Sequence, residues 1–136
     1  MKSSRRAPYS CVIIDDDSMV VSILTHYVSL IDKIELKGSY TDPIDATAAF
    51  LNFKKIDFLF IDIEMGISGI DVARMLRDKV AYVIFITGHS AYALDAFSEG
   101  DRFLVKPVNF EKFMETVNSI ISRDRSKNLL GKQSKI

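Results

Sequence analysis

The chain contains one cysteine, three prolines and no net charge, and it lacks any apolar run long enough to cross a membrane. A lone thiol cannot close an internal disulfide, so the fold does not depend on an oxidising compartment. Cys11 falls inside the apolar stretch at residues 9 to 14 and reads as an inert, buried thiol. Stretches such as residues 82 to 86 fall far short of the roughly 20 residues a spanning helix needs. No charged-then-apolar leader opens the chain. A soluble, unexported, cytoplasmic protein is the expectation. No internal repeat or low-complexity block is evident, and 136 residues with 48% hydrophobic content suit one compact domain with a substantial core.

The zero net charge hides an asymmetry. Residues 1 to 8 carry three basic side chains, and residues 123 to 136 carry five basic against one acidic. Residues 9 to 122 are left with 10 basic and 17 acidic side chains. An acidic core argues against this domain gripping nucleic acid, and the short apolar runs argue against a membrane partner. Both ends read as polar and mobile: a flexible N-terminus over 1 to 8, and a basic tail or truncated linker over 123 to 136.

Five short runs rich in Val, Ile, Phe and Tyr punctuate the chain: SCVII, IELKGSY, DFLFI, YVIFI and RFLV. Four are almost wholly apolar, as strands buried on both faces should be. Helical patterns lie between them. Val20, Leu24, Tyr27, Val28 and Ile31 follow Ser18, which reads as an N-cap, with Asp17 beside it. Asp42-Pro43 precedes a helix reaching Phe53, and Ser68 with Asp71 opens one to about Asp78. A short helix is expected over residues 91 to 99, and Asn109 caps another running to about Arg123. Strand and helix alternate five times, which points to an α/β fold with a parallel sheet between two helical layers.

Ligands bind such sheets at the carboxyl ends of the strands. The first strand ends in Asp15-Asp16-Asp17, the third in Asp62, the fourth in Thr87 and the fifth in Lys106-Pro107. Taken singly, each is explained as a turn former or cap. Their convergence on one edge is harder to dismiss. Two carboxylates about 5 Å apart at an effective dielectric of about 20 repel by about 3 kcal/mol, so such a cluster calls for a cation. Lys106 supplies one charge, and oxygen ligands with room for waters and phosphate suit Mg²⁺. A lone carboxylate beside a metal and an amine is a nucleophile for phosphoryl transfer, and Asp62 is the best placed.

At these residues the chain resembles a bacterial two-component response regulator receiver domain, over nearly all of residues 9 to 122. Asp15-Asp16, Asp62, Thr87 and Lys106-Pro107 fall in the family's order and close to its spacing. The resemblance implies a doubly wound, flavodoxin-like (βα)5 domain with strand order 2-1-3-4-5. It also implies that Asp16 ligates Mg²⁺ directly and Asp15 mainly through water. Asp62 is then ligand and phosphoacceptor, and the Glu64 backbone carbonyl completes the set. Thr87 would hydrogen-bond the phosphoryl group, Lys106 would pair with it, and the Lys106-Pro107 bond would be cis. Phe103 would be the switch aromatic, moving with Thr87 to remodel the face of the fourth helix, fifth strand and fifth helix; its bland alternative is a core position. The implied partner is a sensor histidine kinase or phosphotransfer protein, with homodimerisation as an outcome of phosphorylation. The stretch GHSAYALDAF resembles receivers joined to LytTR-type DNA-binding effectors, which implies an effector absent from this chain.

Departures from the family pattern are specific. Asp62 to Gly69 spans seven steps where eight are usual, without the usual proline, and a residue is missing between Gly100 and Lys106. Gly88 stands where alanine is common. Glu64 and His89 hold positions that tune phosphoryl loss in the family, or are ordinary surface residues. His26 reads as solvated. The shortened loops motivate an alternative, a phosphorylation-independent pseudo-receiver working through a constitutive protein contact. An aspartate-based phosphatase of the haloacid dehalogenase type ranks third, because Glu64 fits its acid/base position only loosely and no cap domain or downstream acidic pair is present.

Overall fold

The computed structural model describes residues 7 to 88 and 102 to 134. The apolar runs form β1 (Tyr9–Ile14), β2 (Ile34–Tyr40), β3 (Ile56–Asp62), β4 (Val80–Thr87) and β5 (Arg102–Val105). All pairings are parallel, in the order β2-β1-β3-β4-β5. Four of the helical patterns form α1 (Ser18–Ser29), α2 (Pro43–Phe50), α3 (Gly69–Met75) and α4 (Phe110–Ser134). The doubly wound, flavodoxin-like expectation holds.

The strands' two-residue period divides the core into two layers. Cys11, Ile13, Phe58, Phe60, Ile84 and Ile86 face α1 and α4, where they meet Leu24, Val28, Phe113, Val117 and Ile121. Val12, Ile14, Leu59, Ile61, Val83 and Phe85 face α2 and α3, against Ala46, Phe50, Val72 and Leu76. The central strands are thus buried on both sides, which is why their sequences show no polar alternation. Cys11 is fully buried, and burial pushes its thiol up to about 12, consistent with an inert group.

Several boundaries differ from the sequence expectation. Asp17, not Ser18, caps α1, accepting the Met19 N–H at 2.9 Å. Helix α2 starts at Pro43 and stops at Phe50, and α3 stops at Met75, followed by a 3-10 turn at Arg77–Lys79. The largest correction is α4, which continues past Arg123 to Ser134 as one 25-residue helix. Its register is fixed where the polar stretch begins. Asp124 accepts the Tyr9 hydroxyl at 2.8 Å and the Tyr82 hydroxyl at 2.5 Å, so phenols from β1 and β4 hold it against the sheet. The expected helix over residues 91 to 99, His89, most of the GHSAYALDAF stretch and residues 1 to 6 lie outside the described residues. No helix among the described residues is long and apolar enough to cross a membrane.

Candidate functional site

Parallel strands emit their C-terminal residues on one edge, so β1, β3, β4 and β5 deliver Asp15, Asp62, Thr87 and Lys106 side by side. Asp15 and Thr87 are fully buried and Asp62 is 2% exposed, whereas Asp16 is exposed. Carboxylate oxygens of Asp15, Asp16 and Asp62 lie within 4.8 Å of one another. Lys106 Nζ stands 3.1 Å from Asp15 Oδ2 and 3.5 Å from Asp62 Oδ2.

Local backbone geometry fixes each acid. Asp15 Oδ1 accepts the Asp17 N–H at 2.9 Å, turning the chain into α1. Asp62 Oδ1 accepts the Glu64 N–H at 3.2 Å. The loop beyond is closed by an antiparallel bridge between Glu64 and Ser68, and by a bond from the Gly69 N–H to the Ile63 carbonyl at 2.9 Å. Ser68 then caps α3 through the Ile70 N–H at 3.2 Å. The loop that is one residue short is therefore a tight, internally bonded turn.

Electrostatically the site is short of positive charge. Burial, and then the Asp15 carboxylate, push Asp62 up to about 6, against the opposing effects of Lys106 and the Glu64 N–H. Burial pulls the Lys106 ammonium down, but its close contact with Asp15 and the charges of the two carboxylates outweigh that and hold its pKa above the ordinary value. Asp15 Oδ2 is buried and accepts no well-angled hydrogen bond, so Lys106 at 3.1 Å serves it as an ion-pair contact only. One ammonium faces the two buried carboxylates, and the negative charge left over is what a further cation would offset. Three carboxylates with no His or Cys among them suit a hard divalent ion, Mg²⁺ before Zn²⁺.

The remaining expected residues are placed as follows. The Lys106-Pro107 bond is cis, and the Lys106 N–H donates to the Thr87 carbonyl at 2.7 Å. Glu64 is exposed beside the mouth, its Oε1 4.0 Å from where a Cβ on Gly88 would stand. Phe103 lies on β5 and is 40% exposed, so it does not take the buried position its apolar ring favours. His26 is exposed, as expected. One contact escaped the sequence reading, which placed Tyr27 simply in an apolar stripe. Its hydroxyl donates to the Val108 carbonyl at 2.9 Å, joining α1 to the turn that carries Lys106. A phenol among Val, Leu and Ile was the available signal.

The chain is similar to known proteins. Residues 11–118 match the family model described as the response regulator receiver domain. An uncharacterised response regulatory protein of Vibrio vulnificus is 32% identical over 119 residues, covering 82% of this chain and 47% of that protein. The transcriptional regulatory protein BtsR of Salmonella typhi is 32% identical over 119 residues, covering 85% and 49%. The chain spans about half the length of the curated relatives it matches. Among solved structures, a response regulator receiver domain protein from Clostridium thermocellum superposes with a TM-score of 0.73 at 26% identity, covering 86% of this chain and 97% of that one. The response regulator protein TrrA of Thermotoga maritima, in complex with Mg²⁺ and beryllofluoride, gives 0.69 at 27% identity, covering 82% and 97%.

Proposed function

The chain belongs to the response regulator receiver domain family, and from that premise we propose that it is a phosphoacceptor switch in which Asp62 carries the phosphoryl group. The observation that supports this best is the Lys106 ammonium held 3.1 Å from Asp15 and 3.5 Å from Asp62, beside a buried Asp15 oxygen with no hydrogen bond. That is a charge pattern built for a cation and an incoming phosphate.

Asp15, Asp16, Asp62 and the Glu64 backbone carbonyl are the residues that would hold Mg²⁺, and the bound ion would supply charge neutralisation for phosphoryl oxygens. Asp62 attacks the phosphorus of a phosphohistidine on a sensor kinase or phosphotransfer protein. The new O–P bond forms as the P–N bond breaks and the imidazole leaves with the electron pair. Lys106 pairs with the transferred oxygens and Thr87 donates a hydrogen bond to them. Slow attack by water returns the carboxylate. Loading Asp62 draws on Thr87, and through it biases Phe103 and the face flanked by β5 and α4 between two packings.

The switch acts in the cytoplasm on an output that controls transcription, through homodimerisation or a DNA-binding effector of the LytTR type. The relatives named as transcriptional regulatory proteins, of whose length this chain covers about half, favour that output. The test is labelling by acetyl phosphate with Mg²⁺ in the unaltered protein and in Asp62→Asn. Label should appear only in the former; label persisting in Asp62→Asn would remove Asp62 as acceptor. Failure of the unaltered protein to take label or to bind Mg²⁺ would leave the phosphorylation-independent module standing.

A further inference from the structure

The turn that presents Lys106 is fastened at three points. Its start is fixed by the Lys106 N–H on the Thr87 carbonyl at 2.7 Å. Its end is fixed by Asn109, whose Oδ1 accepts the Lys112 N–H at 2.8 Å and caps α4. Between them, the Val108 carbonyl accepts the Tyr27 hydroxyl at 2.9 Å. The Tyr27 ring is itself immobilised, with centroids 5.4 Å from Phe110 and 5.5 Å from Phe113.

A groove lined by Val20, Ile23 and Tyr27 on one side and Lys106, Pro107 and Val108 on the other separates α1 from this turn. Open space lies between α1 and the turn there, with the Tyr27 ring packed on Phe110 and Phe113 beyond it. Among the described residues, the Tyr27 hydroxyl is the hydrogen bond that spans the groove. Only Pro107 lies between Val108 and Lys106, and a proline ring fixes its own φ. A displacement at Val108 thus has few soft torsions to dissipate it before it reaches Lys106.

We propose that Tyr27 is a positioning residue for phosphoryl transfer, its hydroxyl holding the Lys106–Val108 turn so that the ammonium stays between Asp15 and Asp62. This rests on the phosphoacceptor reading of the site. Tyr27 touches neither phosphate nor metal and acts through Lys106 alone, so metal binding by the three carboxylates does not depend on it. Misplacing a charge-stabilising group by a fraction of an ångström slows a reaction without altering the ligands around it.

The experiment is Tyr27→Phe, which keeps the ring and its contacts and deletes the bond, made in the unaltered and in the Lys106→Ala backgrounds. Labelling by acetyl phosphate is followed long enough to register the slow Lys106→Ala protein, and Mg²⁺ affinity is measured by calorimetry. Tyr27→Phe should slow labelling about tenfold with Mg²⁺ affinity changed by less than about twofold. In the Lys106→Ala background it should add no further slowing, because the group it positions is gone. An unchanged rate overturns the assignment. So does an equal slowing in both backgrounds, the pattern of a structural role. An unaltered protein that binds Mg²⁺ but never takes label overturns the phosphoacceptor reading itself, and the role of Tyr27 with it.

Discussion

Gly69 sits so close to Asp62 that a Cβ added to it would stand 1.8 Å from the Asp62 carbonyl oxygen. The short loop after Asp62 doubles back through the Glu64–Ser68 bridge, and the first residue of α3 packs directly on the backbone of the acid. Only a residue without a side chain fits. The seven-step spacing is thus accommodated by close approach.

Gly69→Ala should destabilise the protein by about 3 kcal/mol, since backbone, not a flexible side chain, must move. Urea denaturation measures the loss. Mg²⁺ affinity should fall with it, because the displaced segment carries Asp62 and Glu64. Full stability in Gly69→Ala would show that the loop re-forms easily.

Asp62 ties stability to pH. Its folded value of about 6 lies above the ordinary 3.8, owing first to burial and then to Asp15. Its contribution to stability is therefore fully present below 3.8 and is lost as pH rises through about 6. In metal-free protein, Asp62→Asn should gain about 2 kcal/mol at pH 7.5, a gain that fades toward pH 4. Denaturation at the two pH values tests this, and a gain independent of pH would contradict it. Protons also compete with Mg²⁺ for the site, so metal affinity should weaken below about pH 6.

Lys106 competes with the metal it assists. Removing a fixed positive charge that touches Asp15 and Asp62 frees both carboxylates for a divalent ion. Lys106→Met should therefore tighten Mg²⁺ binding severalfold while slowing acetyl phosphate labelling by at least about tenfold. Weaker Mg²⁺ binding in Lys106→Met would mean that the ammonium chiefly holds the carboxylates in place. The two carboxylates keep the ammonium charged above its ordinary range, so the effect should be level across neutral pH.

The site was legible because its members are punctuation. Asp15, Asp62, Thr87 and Lys106 each end an apolar run, and a parallel sheet places all such ends on one edge. The family resemblance then supplied expectations for roles that spacing alone left open. What escaped depends on contacts between distant residues. Beyond Arg123 the sequence turns polar and loses its apolar period, yet α4 continues, with Asp124 held by Tyr9 and Tyr82. The Tyr27–Val108 bond joins residues 81 apart, and the exposure of Phe103 reflects its place on the outermost strand.

That anchoring is itself testable. Tyr82→Phe and Tyr9→Phe should each cost about 1 kcal/mol, and Asp124→Ala more, about 2 kcal/mol, because it leaves two phenols without their acceptor. Amide exchange near Asp124 should accelerate in Asp124→Ala while that near Phe113 stays slow. Unchanged exchange around residue 124 would show that the helix persists there without the two phenols.

Because α4 runs unbroken past Asp124, angle and phase travel along it together. Leu129, 60% exposed, points in a direction set by the two phenols on the α4 face of the sheet. One residue inserted between Asp124 and Leu129 would swing that side chain by about 100° around the axis, and seven would bring it back to within about 20°. The ten residues from 125 to 134 reach about 15 Å, so a 5° tilt at the clasp displaces the far end by roughly 1 Å. This stretch of α4 is thus a pointer whose heading is set at its base.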